Sequence, residues 1–437
     1  MNGDLPGGWK ETTLGEICTK PQYGWTCKAA PEGTVKYVRT SDISGKRLVW
    51  ENVPYCASEP DDLGKYRVQV DDILVSRAGS VGISQRIREV PYQAVFASYL
   101  IRFRAMENVL PEWIEYYLRS DAYWRSISEI SAGIALQNVN ASKLSALELP
   151  LPPLPEQKRI IAKLEELLGK VDICQSHLAK ISLILKRFRQ SVLASACSGS
   201  LTMAWRQQHS YGECDLQSEE EPNGMGAIPS TWKWQKTQKV CQSIVDCPHS
   251  TPKWTTQGKI CLRTTNFRPN QLDLSEVRFV SEKTYGERVE RLKPHEGDVL
   301  YSREGGILGI ACVIPKDLEL CLGQRMMLFR TNDTYLGKFL MFWLNSPLIL
   351  EKVKDLTGGT ASPHLNVGDI KEFWSPVPPL EEQYEIVGRV ELLLRLANEI
   401  ERQCTYAQER VTRMHSSFLS KAFCGEFART DVAATKA

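Results

Sequence analysis

Two stretches of the chain carry apolar residues at alternating steps of four and three. In the first, Ile160, Leu164, Leu167, Val171, Cys174, Leu178, Ile181, Leu185, Phe188 and Val192 hold the period without a break. In the second, Ile386, Val390, Leu393, Ala397, Ile400, Cys404, Ala407, Val411, Met414 and Phe418 hold the same register. Apolar a and d positions sustained over more than four heptads predict two long helices, each with an apolar seam that needs a partner. At 1.5 Å per residue, each rod is roughly 60 Å long. Prolines hold the preceding chain extended, Glu156 and Glu382 favour the positive end of a helix dipole, and Gly199 and Gly425 mark the ends. The economical pairing sets the two helices antiparallel against each other. Two separate intermolecular coiled coils satisfy the same pattern.

Outside these rods the pattern shifts to short β-branched and aromatic runs bounded by Gly, Pro and Asp, at residues 35–38, 73–76, 95–103 and 311–314. These predict strands. Residues 111–119 and 336–345 predict helices whose Trp113, Tyr116 and Tyr117, or Phe339, Phe342 and Trp343, are read as core side chains in preference to base-stacking platforms.

A shift of about 226 residues lays the second half of the chain on the first. Pro6-Gly7-Gly8-Trp9-Lys10 answers Pro229-Ser230-Thr231-Trp232-Lys233, and Asp72 to Gly79 answers Asp298 to Gly305. Pro152-Pro153-Leu154-Pro155-Glu156-Gln157 answers Pro378-Pro379-Leu380-Glu381-Glu382-Gln383. The chain thus divides into a globular domain at 1–153, a helix at 154–200, a linker at 201–228, a second globular domain at 229–379, a second helix at 380–427 and a tail at 428–437.

Composition changes this picture little. The 437 residues are 42% hydrophobic and 24% charged, with a net charge of +2. Residues 229–378 alone are basic, so a polyanionic partner requires a local cleft rather than a global field. No apolar run is long enough for a membrane span, no signal-peptide pattern opens the sequence, and the 13 cysteines show no metal or disulfide spacing. Reduced, buried thiols in a cytoplasmic protein are the expectation, with no metal or cofactor bound by this chain.

Catalytic patterns are missing. Gly45-Lys46, Gly64-Lys65, Gly258-Lys259 and Gly337-Lys338 are each followed by the wrong residue for a phosphate-binding loop. There is no Gly-x-Gly-x-x-Gly after a strand and no Asp/Asn-Pro-Pro-aromatic tetrapeptide. What recurs is Asp-aliphatic-Leu-x-Ser-Arg-x-Gly. Its Ser76, Arg77 and Gly79, with Ser302, Arg303 and Gly305, form either a strand entering a tight turn or a contact to phosphate or a guanine edge. The same two readings cover Arg39, Thr40 and Ser41; Arg263, Thr264, Thr265 and Asn266; and the polar loops holding Gln137, Asn138 and Asn140, or His364 and Asn366.

Two diverged globular halves, each closing on Pro-Pro-Leu-x-Glu-Gln and a heptad helix, resemble the specificity (S) subunit of type I restriction-modification systems. The match runs over essentially the whole chain. It implies an α+β fold: two mixed α/β target recognition domains separated by two long antiparallel coiled-coil helices, a pseudo-twofold internal repeat. It also implies a non-catalytic chain that binds an asymmetric, bipartite double-stranded DNA target, with the helices setting the unread interval. Two methyltransferase (M) subunits and restriction (R) endonuclease subunits are the implied partners; S-adenosylmethionine, ATP and Mg belong to them. Fusing two copies frees each from the palindrome that a homodimer imposes. The rival expectation is a non-enzymatic coiled-coil scaffold whose globular ends bind proteins.

Overall fold

In the computed structural model, which describes residues 5–45, 47–131, 139–209, 222, 224–358 and 363–428, the two heptad stretches are unbroken helices, Leu154–Cys197 and Leu380–Phe423. The chain divides into two units, Met1–Ala179 with Thr405–Ala437 and Lys180–Cys404. Each helix contributes to both.

The first unit is built on an antiparallel sheet ordered Gln22–Tyr23, Leu100–Phe103, Ile73–Ser76, Ser84–Arg86. Side chains alternate across a strand, and here both faces are buried. Ile73 and Val75 join Trp113, Ile101 and Phe103 on one side, while Leu74 meets Val38, Phe96 and Leu100 on the other. A second sheet runs Ala29–Ala30, Tyr55–Cys56, Lys36–Val38, Ala94–Phe96, its last two strands parallel. The run at 95–103 is therefore two strands of different sheets, because the chain turns at Ala97–Tyr99 and Leu100 N bonds back to Ala97 O at 2.9 Å.

The second unit repeats the plan. Its first sheet is Cys241–Asp246, Met326–Thr331, Val299–Ser302, Ala311–Val313, and its second is Trp254–Thr255, Arg278–Val280, Lys259–Leu262, Leu320–Leu322, again with a parallel last pair. In both units a two-stranded ribbon joins the domain's beginning to its end: Lys10–Thr13 with Glu148–Leu151, and Lys233–Lys236 with Trp374–Val377. The aromatics of Pro111–Tyr117 and Gly337–Leu344 lie in the cores.

The repeated helix-start motif now has a physical reason. The buried Gln157 amide accepts from Leu110 N at 2.9 Å and donates to Asn108 O and Pro152 O at 3.2 and 2.9 Å. Gln383 does the same with Leu336 N, Thr334 O and Pro378 O at 2.8, 2.9 and 2.9 Å. One residue earlier, Glu156 accepts the Trp9 indole N–H at 3.0 Å and Glu382 that of Trp232 at 2.8 Å. Each domain therefore grips the first turn of the helix that follows it.

Within the first unit the start of one helix, at Ile160, Leu164 and Leu168, shares a core with the end of the other, at Leu419, Ala422 and Phe423. Within the second unit Val192, Leu193 and Ala196 share one with Ile386, Val387 and Val390. Start meets end in each, so the pairing is antiparallel. Of the expected seam, Ile160, Leu164, Val171, Leu185, Ile386, Val390 and Ala397 are buried, and Leu167, Leu178, Ile181, Leu393 and Val411 are half-buried. Ile400 is corrected: it is 49% exposed. Two helices alone enclose a narrow stripe, and its flank stays in solvent.

Of the segment read as a linker at 201–228, the start is corrected, and residues 210–221 and 223 lie outside the described residues. Ser200–Thr202 forms a 3₁₀ turn and Met203–Gln208 a short helix. Its Arg206, buried, reaches Glu382, with Thr202 Oγ1 donating to the same carboxylate at 2.6 Å. Gly199 and Gly425, at φ +78° and +73°, end the long helices, and a Cβ on either would strike Pro229 or Pro6. Of the expected tail at 428–437, residues 429–437 lie outside the described residues.

Candidate nucleic-acid interface

Three segments converge at one edge of each unit. The parallel strands Lys36–Val38 and Ala94–Phe96 release Arg39 and the Ala97–Tyr99 turn at the same end, where Ala97 N bonds Val38 O at 2.9 Å. Tyr99 O then accepts from Arg77 N at 2.9 Å, and Arg77 O accepts from Val139 N at 2.9 Å. In the second unit Gly323 N bonds Leu262 O at 2.9 Å, Arg325 O accepts from Arg303 N at 3.0 Å, and Arg303 O accepts from Leu365 N at 2.8 Å. The shared turn is thus a junction onto which the neighbouring loops are stitched by backbone bonds.

Its side chains serve the turn. Ser76 Oγ donates to Ala78 O at 3.1 Å, and Ser302 Oγ accepts from Ile310 N at 3.0 Å; both serines are fully buried. Gly79 and Gly305 supply the left-handed φ of +78° and +89°. Arg303 is only 6% exposed in its side chain. Its Nε and Nη2 bind Asp246 at 2.9 and 3.0 Å, and Nη1 binds Glu304 at 2.7 Å. Arg77 is half-buried, its guanidinium 4.8 Å from the Tyr23 ring centroid. Ser76, Ser302 and Arg303 are therefore corrected from DNA contacts to internal scaffold, since their polar atoms are already spent in buried bonds.

Arg39 and Arg263 hold turns as well. Arg39 binds Asp42 through Nε and Nη2 at 3.2 and 3.0 Å, and that carboxylate raises the guanidinium pKa above its ordinary value. Arg263 N donates to Asn266 Oδ1 at 2.9 Å, and the buried Asn266 amide donates to Asp273 O and Glu276 O. Asn266 is thereby corrected to a turn clamp. Ser41, Gly79, Asn140, Thr265, His364 and Asn366 are exposed, and Thr40, Thr264 and Gly305 half-buried. Asn140 caps the helix at Ala141–Ser145 through Lys143 N at 2.9 Å, and Asn366 donates to Asp369 at 3.1 Å. Gln137 and Asn138 lie outside the described residues.

Sequence matching over known families decides what this architecture is for: the model of the type I restriction modification DNA specificity domain matches residues 6–183 and again 246–406. The chain belongs to this family. The specificity chain is 28% identical to the EcoKI specificity subunit of Escherichia coli K12 over 447 residues, 97% of this chain and 90% of that one. It is 32% identical to the Escherichia coli EcoBI specificity subunit over 321 residues, 71% and 65% of the two. A solved chain, from work on complex assembly and conformational transition of the type I R-M system, shares its fold with a TM-score of 0.69 at 20% identity, covering 96% of this chain and 99% of that one.

Sequence reasoning missed Tyr23 and Asp246, which occupy one sheet position in the specificity chain and hold Arg77 and Arg303 by a ring face and a carboxylate respectively. It also missed Tyr99 and Arg325. Both sit at positions where the copies differ, and a search for what the repeats share passes over such positions. Aligning the halves and asking where the side chains diverge would have found them.

Proposed function

We propose that this chain reads an asymmetric, bipartite DNA target, one half-site per globular domain, and presents it to partner subunits that methylate adenine and cut DNA. The observation that carries the reading is one sheet-and-turn scaffold built twice, with different exposed side chains at equivalent places. Bases are distinguished by side chains in the grooves, while a common scaffold fixes register. The chain itself does no chemistry in this reading. S-adenosylmethionine, ATP and Mg act in the partner chains, and the complex works where the cell's DNA is.

Two methyltransferase subunits would dock along the helices. Ile173, Leu183 and Ile184 on the central helix, and Leu392, Leu396, Ile400 and Tyr406 on the C-terminal one, stay exposed, an apolar display that two paired helices do not need for themselves. Among the described residues no helix is long and apolar enough to cross a membrane.

The test is single-molecule methylation sequencing of the native genome with the gene intact and deleted. A split motif with N6-methyladenine in both halves that disappears on deletion supports the reading. An unchanged methylome, with the partner subunits shown to be made, overturns it in favour of a scaffold.

A further inference from the structure

If two copies of one scaffold read different half-sites, the reading residues meet three conditions. They are exposed, they occupy equivalent positions, and they differ in chemistry. The Ser-Arg-x-Gly turn fails the third condition because both copies spell it alike, and its arginine in the second unit is buried and neutralised. The tip of the adjacent turn meets all three. Tyr99 and Arg325 each follow the parallel strand by the same number of residues, and each accepts the N–H of the shared arginine through its backbone carbonyl. Tyr99 is 63% exposed, more than any other large apolar side chain among the described residues.

Arg325 stands out on two further counts. Its φ is +70°, in the left-handed region that an arginine enters only when its surroundings hold it there. Those surroundings are Gly323, bonded to Leu262, the Arg303 N–H on its carbonyl, and Met326 paired to Ser302 behind it. The side chain is exposed, and among the described residues no carboxylate pairs with it. Asp246 and Glu304, the nearby acids, are taken by Arg303. The guanidinium lies along Gly305, where a Cβ would stand 3.3 Å from Nη1, so the shared glycine leaves it room. An exposed guanidinium on a fixed backbone, with no carboxylate partner among the described residues, has the fork geometry for the O6 and N7 of guanine.

We propose that this turn tip is a base-reading position, and that Arg325 reads a guanine in the half-site of the second domain. The assignment rests on the DNA-recognition reading above. It is tested in the native host with all partner subunits present, by methylation sequencing of cells carrying wild type, Arg325→Gly, Arg325→Lys or Tyr99→Ala. Glycine is the informative replacement because it removes the guanidinium while accepting φ +70° without strain.

Arg325→Gly is expected to keep one half-site letter for letter and to lose discrimination at one guanine of the other by roughly 5- to 150-fold. Arg325→Lys gives a partial loss at the same base, and Tyr99→Ala alters only the opposite half-site. An unchanged motif methylated more weakly would make Arg325 a phosphate contact and overturn the assignment. So would loss of all methylation by a Gly variant that unfolds at the wild-type temperature. Absence of any split motif in wild type overturns the recognition reading itself, and the assignment with it.

Discussion

Glu156 and Glu382 hold the same place in the repeat, third residue of a long helix and acceptor of a tryptophan indole, yet their replacement by glutamine should differ sharply in cost. Glu382 is fully buried and carries Arg206, Thr202 and Trp232 on its two oxygens; the Arg206 side chain is 8% exposed. Glu382→Gln leaves a buried guanidinium without its counter-charge, which costs about 3–5 kcal/mol. Glu156 is 22% exposed, and its neighbour Arg159 lies 3.6 Å away and 41% exposed, so that pair is screened. Losing it weakens the indole bond and a solvated contact, about 1 kcal/mol. Both carboxylates occupy the first turn, so the loss of dipole stabilisation is common to the pair and cancels in the comparison. Urea titration of the two variants should show a gap of about 2–4 kcal/mol, with Arg206→Met recovering part of the Glu382→Gln loss because the orphaned charge is gone. Equal losses at the two positions, within 1 kcal/mol, would refute the claim that Arg206 makes the second clasp a buried ion pair.

Gly199→Ala or Gly425→Ala should cost at least about 1–2 kcal/mol from the left-handed φ alone, and more where the proline cannot retreat; thermal unfolding measures it. Burial pushes the Cys18, Cys241 and Cys312 thiols up to about 12 from an ordinary 9. The unfolded chain sheds these protons first, so stability holds below about pH 9 and falls as pH rises toward 12, read from urea midpoints across pH 7–11 in reductant. A thiol reagent should label Cys174 and Cys424, both exposed, well before Cys18, Cys197 or Cys321; labelling of Cys174 should slow when a methyltransferase partner occupies the helices. Inserting one heptad into the central helix should lengthen the unread interval of the target and leave both half-sites unchanged, as methylation sequencing will show.

The helices were legible because a heptad is a local period: Ile160 and Leu164 announce their shared face within one turn. The Gln157 and Glu156 motif was legible as a repeat, but its purpose was not, since Trp9 and Asn108 lie far back in the chain. The parallel pairing that releases Arg39 and the turn of Tyr99 at one end joins strands separated by three other strands, a 3₁₀ turn and a short helix, and no local pattern records it. Arg206 looked like part of a polar connector because its partner lies 176 positions away. The Ser-Arg-x-Gly motif drew attention by recurring. Recurrence marked the scaffold, and the residues that differ beside it were overlooked for the same reason.

The clasp at each helix start has a consequence for inheritance. Trp9, Asn108, Leu110, Pro152, Glu156 and Gln157 all come from one copy of the repeat, and Trp232, Thr334, Leu336, Pro378, Glu382 and Gln383 from the other. A domain therefore carries its own fastening to the first turn of its helix, and the second clasp draws Thr202 and Arg206 besides from the segment just before its domain. A genetic crossover placed within the helix, past Gln157 or Gln383, transfers a recognition domain with its fastening intact, whereas one placed between Trp9 and Pro152 mixes halves of two clasps. On the proposed reading, a new target sequence is then acquired in one exchange, with no change required in the partner subunits.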